Sequence, residues 1–222
     1  MDGILLVDKP SDWTSHDVVA KIRRELSKTA GHKIKVGHTG TLDPMATGLL
    51  ILVIGSYTKC AQEFSKLDKT YDTELTLGHT STTGDAEGEI TAVSNQRPVG
   101  REIEQTLKTF VGEIEQTPPA YSAIKVDGQR AYKLARQGKE VVIEPRKITI
   151  YDIKELKYSY PKLSFTATVS SGTYIRSLAA DIGDKLGTGA YLSDLRRTEV
   201  GQYKITDAKT IDKITKFDII SS

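Results

Sequence analysis

The chain has 222 residues, 38% hydrophobic and 27% charged, with 31 Lys and Arg against 29 Asp and Glu. That composition belongs to a folded globular protein, not a disordered or fibrous one, and the length allows one domain, or a large domain with a small appendage. Cys60 is the single cysteine, which excludes an internal disulfide and a cysteine-built metal site; the four histidines (16, 32, 38 and 79) lack ligand-like spacing. The apolar run Leu49 to Ile54 is too short to cross a bilayer. An acid at position 2 with no basic stretch around it is not a secretory signal, so a soluble, reduced, cytoplasmic protein is the expectation.

In chain order, Gly3 to Val7 reads as a short buried strand closed by a Pro10 turn. Ser15 is placed to cap a helix to about Ser27, with Val18, Val19, Ile22 and Leu26 on one face. A glycine-rich loop, VGHTGTLDPMATGLL, follows from Val36. "YTKCAQEFSKL" reads as an amphipathic helix, "KTYDTELTLG" alternates like a strand, and "HTSTTGDAEGEI" is a polar loop. Arg101 to Val111 has helical spacing, and the segment from Thr117 predicts a strand, a "VDGQ" turn and a basic helix ending at Gly138. Two alternating runs, Lys147 to Tyr158 and Leu163 to Ser170, precede a helix with Ile175, Leu178, Ala179, Ile182 and Leu186 on its core face. Arg176 falls off that face, in the first turn, free to point elsewhere. "LSDLRRTEVGQY" returns to strand. Mixed elements without βαβ alternation, repeat or linker predict an α+β fold around a largely antiparallel sheet flanked by helices.

The glycine-rich loop fits neither a phosphate loop nor a dinucleotide loop, because Gly37, Gly40 and Gly48 have the wrong spacing and no lysine follows. It presents His38 and Asp43, with Pro44 fixing the backbone just after the acid. Spacing alone leaves Asp43 as a cap of the following helix or turn. A net charge of +2 does not announce nucleic-acid binding, and clusters such as "KIRRELSK" and "GQRAYKLARQGK" read first as solvated helix faces.

"GHTGTLDPMATGLL" resembles the signature of the TruB family of tRNA pseudouridine synthases. "GILLVDKPSDWTSHDVV", "KTYDTELTLGHTSTTGDAEGEI", "QTPPAYSAIKVDGQRAYKLARQGKEV", "SSGTYIRSLAADIG" and "LRRTEVGQY" resemble five further segments of that family, in the family's order, over residues 3 to 203. The resemblance implies the pseudouridine synthase fold and isomerisation of uridine to pseudouridine at position 55 in the T-loop of tRNA. The C1′–N1 bond breaks, the uracil turns, C5 joins C1′, and the C5 proton is lost as N1 gains one. No cofactor or metal is implied.

Matched position by position, Asp43 corresponds to the family's catalytic aspartate, Arg176 to the arginine that pairs with it, and Tyr71 to the tyrosine that stacks on the target base. An adjacent cation keeps such a carboxylate ionised. Tyr174 and Leu195 match pocket-lining positions. His38 matches the histidine that fills the space left when the uridine is extruded from the folded loop. Lys9 is expected to support the active site or meet a phosphate. Arg130 and Lys133, with Tyr132 interleaved, are expected along the RNA backbone, positioning the substrate without specifying it.

Many members continue for some eighty residues after the L-R-R-T strand into a small RNA-binding PUA-type domain. Here residues 1–205 are expected to form the catalytic domain and 206–222 a short tail, so that grip is confined more to the T-arm. Partners are expected to be tRNA alone, with no membrane, metal or guide RNA, acting as a monomer. Three alternatives stand beside this reading. Guided relatives of archaea and eukaryotes carry terminal extensions. A non-enzymatic RNA-folding protein would not need Asp43, Tyr71 and Arg176 together. A glycosidase would need a second positioned carboxylic acid, which no motif here supplies.

Overall fold

The computed structural model describes residues 1–122, 124–126, 128–138 and 141–220. Its larger elements are β1 (Gly3–Lys9), α1 (Ser15–Ala30), β2 (Val36–His38), β3 (Thr47–Ile54), α2 (Ala61–Ser65), β4 (Lys69–Leu77), β5 (His79–Ser81), β6 (Ile90–Ala92), α3 (Gly100–Lys108) and β7 (Gly112–Gln116). There follow β8 (Lys125–Val126), β9 (Gln129–Arg130), α4 (Ala131–Arg136), β10 (Arg146–Ser159), β11 (Lys162–Val169), α5 (Ile175–Lys185), β12 (Ala190–Val200), β13 (Tyr203–Lys204) and β14 (Lys209–Thr210). The chain divides into two compact units, one of Met1–Asp72 with Leu195–Ser222 and one of Thr73–Asp194. The backbone passes between them within β4 and within β12.

The first unit is built on β1 and β3, which pair antiparallel from Gly3 opposite Ile54 to Lys9 opposite Gly48. Period-two alternation sorts their side chains onto two faces. Leu5, Val7, Leu50, Leu52 and Ile54 meet Val18, Val19, Ile22 and Leu26 of α1, while Ile4, Leu6, Leu49, Ile51 and Val53 pack with Val200, Phe64 and Leu67. Burial on both faces is why β3 is a continuous apolar run, which alternation alone leaves unassigned. The sheet is mixed: β14 joins β1 and β12 joins β3 in parallel, and β2 and β13 pair antiparallel with β3 and β12.

Helix α1 differs from expectation at its start. Thr14, not Ser15, is the N-cap, in a capping box with Asp17. Ser15 is instead buried, donating to the Leu42 carbonyl at 3.1 Å and accepting from Leu42 N–H at 2.8 Å. "YTKCAQEFSKL" forms not one helix but a 3₁₀ turn, Gly55–Cys60, followed by the short α2.

In the second unit β7, β10 and β11 pair antiparallel, and β10 changes register at two bulges. Helix α3 packs against α5 and β10. The core is formed by residues such as Ile103, Leu107, Ile148, Ile150, Phe165, Leu178 and Ile182. Strand β7 was not expected from the sequence. The polar loop after β4 contains a small hairpin, β5 with β6, from His79 opposite Ala92 to Ser81 opposite Ile90. The "VDGQ" turn and the end of the basic segment include residues 127 and 139, outside the described residues.

Candidate active site

The sequence points to nine site residues. The first unit holds Lys9, His38, Asp43, Tyr71 and Leu195; the second holds Arg130, Lys133, Tyr174 and Arg176.

Asp43 sits half-buried in irregular backbone between β2 and β3, and its carbonyl accepts from Ala46 N–H at 3.1 Å, closing a turn over Pro44. The loop around it is fixed from several directions. Thr39 N–H donates to the Ile51 carbonyl at 3.1 Å, and Asp12 N–H donates to the Pro44 carbonyl at 3.0 Å. Ser15 holds Leu42 on both its donor and its acceptor. The Lys9 ammonium, fully buried, donates to the carbonyls of Pro10 (2.8 Å), Trp13 (2.6 Å) and Pro44 (3.1 Å). A lysine enclosed in this way is a strut for the loop, since a desolvated ammonium persists only where acceptors replace its water. Of the two roles expected for Lys9, its burial fits support and leaves no surface for a phosphate.

His38 ends β2, opposite Leu52 of β3. Its Nδ1 is buried and has no hydrogen-bond partner among the described residues. Burial pushes the imidazole below its ordinary 6.5, and the positive charges of Arg197 and His16 push the same way, so the ring is neutral at pH 7. Tyr71 is 8% exposed on β4, two residues after Lys69. Lys69 donates to the carbonyls of Ser65 (2.6 Å) and Leu67, and burial lowers its pKa to about 8, with Arg197 adding to the effect and Asp68 opposing it. Leu195 is buried on β12.

In the second unit, Arg176 is buried although it lies off the apolar stripe of α5. The first turn of α5 is buried throughout, Ile175 to Leu178, and Arg176 is 6% exposed. Its guanidinium donates to the carbonyls of Thr83 at 3.0 Å and Tyr121 at 2.9 Å and lies 3.5 Å from the Asp85 carboxylate. Asp85, itself 2% exposed, also accepts from the Thr83 hydroxyl at 2.5 Å and from Glu87 N–H at 3.0 Å. Tyr174 caps α5; the buried Gln116 side chain accepts from its N–H at 2.9 Å and donates to its carbonyl at 3.1 Å. Arg130 and Lys133 are exposed at the start of α4, and the Arg136 guanidinium stands 5.7 Å from the Tyr132 ring.

Asp85 and Gln116 both lie in motif segments, yet the motifs alone do not mark them as site residues. What ties them to α5 is a contact over tens of residues, which one sequence does not display. Among the described residues no group of three or more His, Cys, Asp or Glu stands close enough to hold a metal ion.

A model described as TruB family pseudouridylate synthase (N-terminal domain) matches residues 24–175, and one described as tRNA pseudouridylate synthase B C-terminal domain matches residues 176–220. The chain is 46% identical over 215 residues to the tRNA pseudouridine synthase B of Opitutus terrae, covering 96% of this chain and 87% of that protein. It is 44% identical over 216 residues to that of Phocaeicola vulgatus, covering 96% and 92%. Among solved structures, a Cbf5–Nop10–Gar1 complex aligns with a TM-score of 0.71 and 31% identity, over 95% of this chain and 54% of that one. An H/ACA RNP bound to a substrate RNA containing 2′-deoxyuridine aligns at 0.69 and 28%, over 97% and 57%. The chain thus spans a little over half the length of those two. Their fold is the fold described above, an α+β pseudouridine synthase. The chain belongs to the TruB family of pseudouridylate synthases.

Proposed function

We propose that this chain isomerises uridine 55 in the T-loop of tRNA, with Asp43 as the acid that acts on the target nucleoside. The observation that carries the reading is the 46% identity over 215 residues, within which Asp43 keeps the family's G-H-T-G-x-L-D-P setting. A loop fixed by buried Lys9 and Ser15 suits the chemistry, because a carboxylate attacking a flipped nucleoside gains most when its position is set beforehand. Tyr71 stacks on the target base, Arg176 keeps the acid ionised, and Tyr174 and Leu195 line the pocket. A neutral His38 suits filling the space vacated by the uridine better than bearing a charge there. Arg130 and Lys133 lie along the RNA backbone.

In this reading residues 1–205 are the catalytic domain and 206–222 a short tail. The protein acts as a cytoplasmic monomer without guide RNA. The deciding experiment is tritium release or mass spectrometry on a bare T-stem-loop transcript, with the unaltered chain and Asp43→Asn. Pseudouridine formation that survives in the variant overturns the role of Asp43, and none with the unaltered chain overturns the function. Filter binding that finds a large advantage of whole tRNA over the T-stem-loop sinks the idea of a grip confined to the T-arm.

A further inference from the structure

We propose that Arg197 is a positioning residue for the isomerisation: its buried guanidinium ties together the two ends of the Asp43 loop and so sets where the Asp43 carboxylate stands. The inference rests on the function proposed above.

Arg197 lies on β12 and is 2% exposed. Its Nε donates to the Leu49 carbonyl at 2.7 Å, and a terminal nitrogen donates to the Gly40 carbonyl at 3.1 Å. Those two acceptors bracket Asp43, one on each side of the loop. The backbone of Arg197 pairs in parallel register with Gly48, which closes the same end of the loop. Gly48 adopts φ +104°, and a Cβ there would come within 2.2 Å of the Arg197 carbonyl oxygen. The motif's third glycine is therefore a consequence of how closely β3 approaches Arg197.

A buried guanidinium has lost its water and persists only where other groups accept its hydrogen bonds. Among the described residues no carboxylate lies within ion-pair distance of Arg197, and its acceptors are the loop's carbonyls. Charge pairing is therefore not what keeps it there. The guanidinium reaches the two carbonyls from different nitrogens of one rigid plane, whereas the donors of an ammonium share a single nitrogen, so a lysine at this position would keep the charge and lose this bridge. The unneutralised charge also reaches outward, contributing to the lowered pKa of both His38, which His16 faces as well, and Lys69, which Asp68 also faces.

The test compares the unaltered chain with Arg197→Lys and Arg197→Met in single-turnover pseudouridine formation on a T-arm transcript, with RNA Kd and melting measured alongside. Misplacement of a reacting group on the scale of 1 Å lowers rates about 100-fold. Both variants are expected to lose about 30- to 100-fold in rate with Kd changed less than about threefold. Arg197→Met, but not Arg197→Lys, is expected to raise the His38 titration midpoint seen by NMR. An undiminished rate in Arg197→Lys, or a loss wholly explained by Kd, overturns the inference. If neither variant folds, exchange of the Arg197 Nε–H in the unaltered chain decides: strong protection supports the clamp, and exchange as fast as that of exposed arginines overturns it. A chain inactive before any substitution sinks the functional reading itself, an outcome distinct from turnover that is indifferent to Arg197.

Discussion

The Asp43 loop and the α4 segment both carry motif residues of an RNA-modifying enzyme, yet they are held in opposite ways. The loop is irregular backbone pinned by buried side chains: Lys9 on Pro44, Ser15 on Leu42, Arg197 on Gly40 and Leu49. Helix α4 is six residues long, with Ala131 buried and Arg130, Lys133 and Arg136 exposed. Backbone bonds anchor its start, from Ala131 N–H to the Ile124 carbonyl at 2.7 Å and from Tyr132 N–H to the Ser122 carbonyl at 3.1 Å. A helix this short has little stability of its own. Regular structure is thus no guide to rigidity here; the segment without secondary structure is the one whose geometry is over-determined. A group that must meet one carbon atom needs that, whereas charges that meet a phosphate chain need only proximity.

The contrast is tested most strongly by Asp43→Asn, which keeps the shape of the side chain and removes its charge. Pseudouridine formation is expected to fall by about 10⁴-fold or more, the scale on which removing one member of a catalytic set lowers kcat, while melting temperature and T-arm binding stay near those of the unaltered chain. A residual rate within tenfold would place the chemistry elsewhere.

Next in size is a pair of glycine substitutions within the loop. Gly48→Ala must accept both a left-handed backbone and a Cβ at 2.2 Å from Arg197. It is expected to lose about 3 kcal/mol or more of stability, as strained core substitutions do. Gly40→Ala would meet only the Arg197 guanidinium at 3.5 Å, an ordinary contact, and φ at Gly40 is not left-handed. It is expected to stay within about 1 kcal/mol. Equal denaturant midpoints for the two would refute the close approach of β3 to β12.

Much of this was legible in sequence, and the exceptions share a cause. Alternation exposed β4, β10 and β11, and three-four spacing exposed α1 and α5, because those signals are local. Ser15 has the chemistry of a cap, but Thr14 takes the capping position and Ser15 reaches Leu42, 27 residues on. Arg176 sits off the apolar stripe of α5, yet Thr83 and Tyr121, 93 and 55 residues away, bury it. Arg197 meets Gly40 from 157 residues away. The motifs named the segments that matter. Which residue of a segment holds the other was fixed by contacts distant in sequence, and a single chain carries no sign of them.

A smaller effect follows from the burial of His38. Its folded-state pKa lies below 6.5, so as pH falls through 6.5 the unfolded chain takes up a proton that the folded chain refuses. Stability therefore falls with acidification from about 6.5 down to the folded pKa, and rises with pH across the same window. Melting curves from pH 7 to pH 5 should show this slope, and His38→Gln should remove the part owing to the imidazole. An unchanged slope in the variant would mean that the ring charges freely in the folded loop.

The smallest effects are expected on α4, and they complete the comparison. Lys133→Ala and Arg130→Ala remove exposed charges and leave the buried Ala131 anchor untouched. Each neutralised phosphate contact contributes about 0.7 to 0.9 to the slope of log affinity against log salt, the lower figure for single strands. Each substitution should therefore weaken T-arm binding a few-fold at low salt, reduce that slope by less than one, and leave the single-turnover rate at saturating RNA unchanged. A fall in that rate would mean that α4 positions the target nucleoside and not merely the backbone, and the division of labour between a rigid loop and an adaptable basic surface would have to be given up.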